Sequence, residues 1–191
     1  MAKHNVHIIA LEGIDGAGKS TLIKCLQEIH PIALYQRTKK GKLLDRLVST
    51  NFLQTHIMLQ IPIYLFLSYR NYLIFLLKRE KKNLILMDRC FLSNICYFYP
   101  SALNNKKLFN AIMKIEVPLY PDAIFILDVD PQIGRERDSR KKTLTWMSKT
   151  RIAYLNSEKS PQLSQYNIHI IEDTMSVEDK CKILSRYIDE L

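Results

Sequence analysis

Glycine and proline are scarce, 5 and 7 in 191 residues. That excludes collagen-like, low-complexity and disordered classes. Cysteine is limited to Cys25, Cys90, Cys96 and Cys181, with no CxxC pair and no His/Cys spacing suited to zinc. Four buried or idle thiols in a reducing compartment are therefore expected. Long hydrophobic runs are missing as well. The run from Val6 to Leu11 is too short for a signal-peptide core. The stretch from Ile57 to Leu77 is broken by Gln60, Pro62, Ser68, Arg70 and Asn71. It falls short of the roughly 18 uninterrupted apolar residues a membrane span needs. A cytoplasmic protein with no membrane partner is the expectation. What remains is 47% hydrophobic and 25% charged, the profile of a globular chain with a sizeable core. Lys+Arg 28 against Asp+Glu 19 gives a net charge of +9. A surplus of that size suits a polyanionic partner, whether nucleic acid, anionic membrane or nucleotide phosphates.

No internal repeat and no linker divides the chain, so one domain over 1–191 is expected. Short apolar runs alternate with helical stretches. Strands are predicted at 6–11, 32–35, 84–87, 123–127 and 167–171. Helices are predicted from Lys19 to about Ile29, over 42–48, and over about 55–82, with Pro62 as a kink or a start. A last helix over 177–188 has Ser176 as its N-cap. Near-continuous apolar strands followed by helices indicate an α/β fold, a parallel sheet covered on both faces. Ligands of such sheets bind beyond the C-terminal strand ends.

Gly13-Ile14-Asp15-Gly16-Ala17-Gly18-Lys19-Ser20 matches GxxxxGK[ST] without gaps, with a strand before it and a helix after it. Glycines let successive N–H groups face an anion, and the helix start adds a positive dipole end. Lys19 reaches the β- and γ-phosphates in such loops, and the Ser20 hydroxyl ligates Mg²⁺. The loop does not choose between a GTPase, an ATPase and a small kinase. No Asn-Lys-x-Asp base-reading motif follows, which disfavours the GTPase.

The segment from Leu11 to Thr21 resembles the loop of the thymidylate kinases. Four further blocks agree in order and spacing. Tyr35-Gln36-Arg37-Thr38 is similar to the family's Phe-Pro-x-Arg segment, and Phe66 to Arg70 to its Phe-x-x-x-Arg helix. Asp88-Arg89-Cys90-Phe91-Leu92-Ser93 resembles its Asp-Arg-Tyr/His-x-x-Ser motif. Pro121-Asp122 through Pro131 resembles its fourth strand and lid entrance. The resemblance covers essentially the whole chain. It implies the P-loop NTPase fold, a five-stranded parallel sheet with helices on both faces and a short lid near 134–146. It implies transfer of the γ-phosphate of ATP to dTMP, with Mg²⁺.

The resemblance also implies roles. Gly13, Gly16, Ala17, Gly18, Lys19, Ser20, Thr21 and Thr174 would bind ATP. Arg37 and Arg89 would hold the acceptor monophosphate, and Asp15 would face the sugar. Ser93 and Tyr97 would line the same pocket, and Asp88 would sit near Mg²⁺. Phe66 and Arg70 are four apart on a helix and share a face, so one ring and one guanidinium can read a base together. The alternative reading of that pair is a core Phe and a solvated Arg. Because the loop carries Gly16 where other family members carry an arginine, a lid arginine, Arg137 or Arg140, would neutralise the transferred group. A homodimer through the long apolar helices is implied too.

The chain departs from the family at Leu34-Tyr35, Cys90, Cys96 and Phe98, which bears on base and 2′-deoxy selection more than on the transfer. The rival readings are a kinase of another nucleoside monophosphate and a deoxynucleoside kinase. The latter carries Glu-Arg-Ser where this chain has Asp88-Arg89-Cys90. A non-catalytic nucleotide- or nucleic-acid-binding P-loop protein is a third. It is disfavoured because the basic residues cluster around phosphate-site motifs rather than along one helix, so no nucleic-acid partner is expected.

Overall fold

The computed structural model describes residues 6–36, 57–78, 83–138 and 142–191. Strands β1 (His7–Glu12), β2 (Ala33–Gln36), β3 (Leu84–Asp88), β4 (Ala123–Leu127) and β5 (Asn167–Ile171) form one parallel sheet in the order β2-β3-β1-β4-β5. All five residues of β4 are buried, so both faces of the sheet are covered there. The expected five-stranded parallel α/β sheet is what the chain forms. Two of the expected strands, 123–127 and 167–171, agree residue for residue.

The helices are α1 (Lys19–Ile29), α2 (Ile57–Lys78), α3 (Phe91–Phe98), α4 (Lys106–Ile115), α5 (Pro131–Arg137), α6 (Leu144–Ser157) and α7 (Val177–Asp189). Four begin on local capping signals. The side chains of Asn105, Asp130, Thr143 and Ser176 accept from the N–H groups of Leu108, Gln132, Trp146 and Asp179. Pro131 stands at the first helical position of α5, where its missing N–H costs nothing. Helix α2 starts ahead of Pro62, so that proline is not its first residue. The helix expected over 42–48 lies outside the described residues. Of the expected lid, 134–137 is the end of α5 and 144–146 the first turn of α6.

The strand order reverses around β1, which lies between β3 and β4. Leu11 pairs with Asp88 on one side and Phe125 on the other, so three strand ends meet at one crevice. This is the switch point at which such sheets bind ligands. The sheet beneath it is a dry platform. Ile9, Ala10, Leu11, Ile85, Leu86, Ala123 and Ile124 are all 0% exposed. Each large apolar side chain of that set contributes about 1.5–3 kcal/mol by burial.

One expectation is corrected. Cys25 of α1 and Cys181 of α7 are joined in a disulfide, their Cα atoms 6.4 Å apart. The expectation of four idle thiols fails because α1 packs along α7, bringing together residues 156 apart in sequence. Spacing carries no sign of such a pair. Cys90 and Cys96 are free and buried, as expected. Among the described residues no helix is long and apolar enough to cross a membrane.

Candidate active site

The loop between β1 and α1 is shaped by its glycines. Gly16 has φ 80°, and a Cβ there would fall on the carbonyl oxygen of Gly134 in α5. Gly13, at φ 132°, would place a Cβ 2.5 Å from the Leu127 carbonyl oxygen at the end of β4. The loop is thus pressed against backbone on two sides. Ala17 is buried beneath it, while Ser20 and Thr21 are exposed at the start of α1.

Lys19 is 7% exposed, and its ammonium donates to the carbonyls of Gly13 (2.9 Å) and Ile14 (2.8 Å). Burial, aided by the charge of Arg89, pulls its pKa down to about 7. Phosphate oxygens beside it would restore the ordinary value. At pH 8 the free protein holds Lys19 mostly neutral, so this side chain takes up most of a proton when nucleotide binds, and much less at pH 6. Calorimetric titration of wild type and Lys19→Ala in buffers of different ionisation enthalpy isolates the Lys19 part from the titration of the nucleotide's own phosphate. Uptake equal at both pH values would contradict the burial argument.

Arg89 follows β3 with a left-handed backbone, φ 72°. Its guanidinium donates to Asp15 Oδ1 at 2.7 Å, Gly13 O at 3.1 Å and the Ser93 hydroxyl at 3.2 Å. It also lies 5.1 Å from the centre of the Tyr97 ring. Asp15, 8% exposed, receives a second cation, since Lys142 Nζ is 2.6 Å from Oδ2. A carboxylate inside a phosphate loop is unfavourable unless specifically paired, and here both of its oxygens are. The Lys142 ammonium stands 3.9 Å from the Trp146 ring centre and 5.1 Å from that of Tyr97, within cation–π range. Asp88 ends β3 beside this cluster. Burial raises its pKa, with Arg89 and Lys19 pulling the other way.

The structure therefore brings together Asp15, Lys19, Arg89, Ser93 and Tyr97, five of the residues picked out in the sequence. Arg137 is placed elsewhere, 55% exposed and 3.9 Å from Asp173, next to exposed Thr174 beyond β5. Phe66 is 65% exposed on α2, and Arg70 donates twice to Asn71 Oδ1, at 3.2 and 2.8 Å. Arg37 and Arg140 lie outside the described residues. Sequence reading missed three participants. Lys142 was hidden in a basic run, the buried Glu12 in the loop motif, and Tyr154 in the middle of α6. Arg151, one helical turn before Tyr154, grips Asp128 with two bonds.

A strand, a glycine loop with its lysine, a helix, and a second pair of cations, Arg89 and Lys142, beside the loop at the switch point define a P-loop nucleotide-binding protein. The comparisons narrow that class. The family model for thymidylate kinase matches residues 11–181. A thymidylate kinase of Campylobacter jejuni subsp. doylei is 30% identical over 173 residues, 89% of this chain and 88% of the relative. One from Thermosipho melanesiensis is 28% identical, covering 96% and 98%. The crystal structure of thymidylate kinase from Ehrlichia chaffeensis superposes with a TM-score of 0.67 at 18% identity, covering 96% of this chain and 99% of that one, which shows the shared fold. The chain belongs to the thymidylate kinase family, and the reaction that goes with it is phosphorylation of dTMP by ATP.

Proposed function

We propose that this protein transfers the γ-phosphate of ATP to dTMP, releasing ADP and dTDP, by positioning and charge alone. The observation that carries the reading is the convergence of Lys19 and Arg89, from adjacent strand ends, around the buried Asp15. Lys19 and the loop N–H groups take the donor phosphates. Arg89, joined by Arg37, takes the acceptor phosphate, and Asp15 faces the sugar. An acceptor phosphate oxygen then attacks the γ-phosphorus in line, with no covalent intermediate. One lid arginine, Arg140 or an Arg137 released from Asp173, supplies charge to the transferred group, and Thr174 contacts ATP beyond β5.

Ser20 and Asp88 are the residues suited to Mg²⁺. Among the described residues there is no cluster of three or more metal-binding side chains. An Mg²⁺ ion there would be held by one or two protein oxygens and the phosphates of its nucleotide. Bound there, Mg²⁺ offsets phosphate charge. A homodimer through α2 belongs to the same reading, supported by Leu73, Ile74, Leu76 and Leu77, which are 42–87% exposed. Cytoplasmic placement rests on the family.

The base end of the acceptor site falls to Phe66 and Arg70, with Ser93 and Tyr97 along the pocket wall. The test is a calorimetric titration of Arg70→Ala with dTMP and with a purine monophosphate. Loss of a charge-assisted bond to the base weakens dTMP binding by about 1–3 kcal/mol, and the purine less. Equal losses for both acceptors, or none, would remove Arg70 from base recognition. A panel of monophosphates and nucleosides assayed for ADP release with Mg²⁺-ATP then separates dTMP from the rival acceptors.

A further inference from the structure

Glu12 ends β1 and is 0% exposed. Its carboxylate serves two groups of partners. Oε1 accepts from the backbone N–H of Cys90 at 2.7 Å and of Ser93 at 3.2 Å. Oε2 accepts from the hydroxyls of Ser93 at 2.7 Å and Tyr154 at 2.8 Å, and lies 3.9 Å from the Arg89 guanidinium. The two N–H groups are those an N-cap side chain and its surroundings normally satisfy. Cys90 is the N-cap of α3 and makes no side-chain cap bond. The cap of α3 therefore comes from another strand, 78 residues earlier.

The residue just before that cap is Arg89. A left-handed backbone is sterically unfavourable for a non-glycine residue. Such a conformation persists only where its surroundings over-determine it. Here the Arg89 N–H donates to Leu11 O at 3.1 Å, and the next N–H along is clamped by Glu12. Glu12 thus fixes the backbone on the far side of the strained residue. Through Ser93 and Tyr154 it also orients two hydroxyls that accept from the same guanidinium, at 3.2 and 3.4 Å.

We propose that Glu12 is a positioning residue for the transfer. It caps α3 from β1 and holds the left-handed Arg89 turn, so that the guanidinium is delivered to the acceptor phosphate. The proposal rests on the reading of Arg89 as the acceptor-phosphate grip. Glu12 itself touches no substrate. A carboxylate is needed because charge-assisted bonds are roughly twice as strong as neutral ones, and because an amide would place an N–H₂ against the Arg89 cation.

The experiment is a kinetic double-mutant cycle with ATP and dTMP varied separately: wild type, Glu12→Gln, Arg89→Ala and the double variant. Glutamine keeps the volume and one acceptor oxygen for the two N–H groups, so the fold is retained. Glu12→Gln raises the KM for dTMP about tenfold and leaves the KM for ATP within about twofold. In the Arg89→Ala background the same substitution adds less than about twofold. A merely structural role would instead lower the active fraction and leave both KM values alone, or multiply with Arg89→Ala. Either result overturns the proposal while leaving the role of Arg89 intact. If Arg89→Ala alone leaves the KM for dTMP unchanged, the grip reading fails and the proposal falls with it. Should Glu12→Gln not fold, Tyr154→Phe removes one hydroxyl from the same network. It is expected to raise the KM for dTMP about threefold, again only when Arg89 is present. An equal rise in the Arg89→Ala background overturns the proposal.

Discussion

Replacing Lys19 with alanine is expected to lower turnover by roughly 10²-fold or more while the protein still folds, the scale for losing one preorganised charge donor. The two halves of this expectation have separate grounds. The ammonium sits where the loop curls and has no substitute inside it, since Gly16 carries no side chain. The loop, however, does not depend on Lys19 for its shape. Gly13 O also accepts from Arg89, and Ile14 O also accepts from the Ala17 N–H at 3.3 Å. Removing a buried charge whose pKa burial has already dragged down to about 7 relieves a desolvation cost as well. Turnover measured beside a thermal melt decides it. A variant within tenfold of wild type would detach this loop from the phosphate chemistry, and a collapsed melt would make Lys19 a structural residue.

The second large effect is expected at Gly16. Alanine there meets both a left-handed backbone and the Gly134 carbonyl, so the loop must lift away from α5. The cost is about 2–5 kcal/mol, combining left-handed strain with overpacking against backbone that has no soft side chain to yield. Turnover falls with it, because the N–H groups that face the phosphates move together with the loop. Gly18 is the control. Its φ of 85° is nearly the same, but a Cβ there has nothing within 4 Å. Gly18→Ala should cost only about 1–2 kcal/mol, the strain alone. If both alanine variants melt alike, the contact with Gly134 gives way easily and the packing argument is wrong. The same contact leaves no space for a side chain at position 16.

The features legible in the sequence share one property, that their causes lie within a few residues. The β4 strand is readable because five apolar residues stand between Pro121-Asp122 and Asp128, and burial on both faces removes any alternation that would blur it. The start of α7 is readable because Ser176 caps it from the adjacent position. The loop is readable because its glycines and Lys19 stand together in one ungapped motif.

Shorter helices such as α3 and α5 were not separable from loops. Helix α3 begins on a cysteine that caps nothing, its cap being supplied by Glu12 from β1. The same reasoning covers the site. Asp15, Lys19 and Arg89 could be named from motifs, but nothing local says that Lys142 lies on Asp15 across 127 residues. Nor does anything local say that Glu12, Ser93 and Tyr154 share one buried network. Arg137 stood in a basic run whose members are equivalent in sequence, and the fold sent it to Asp173.

Apolar runs, caps and the glycine loop thus determined the class of fold and the position of the loop, and the kind of transfer was legible only through the family motifs. The partner of each buried charge, the Cys25–Cys181 bond and the left-handed turn at Arg89 were settled by packing. Coulomb attraction, helix capping and disulfide geometry act over a few ångströms of space, and only the closed sheet brings those distant segments within that reach.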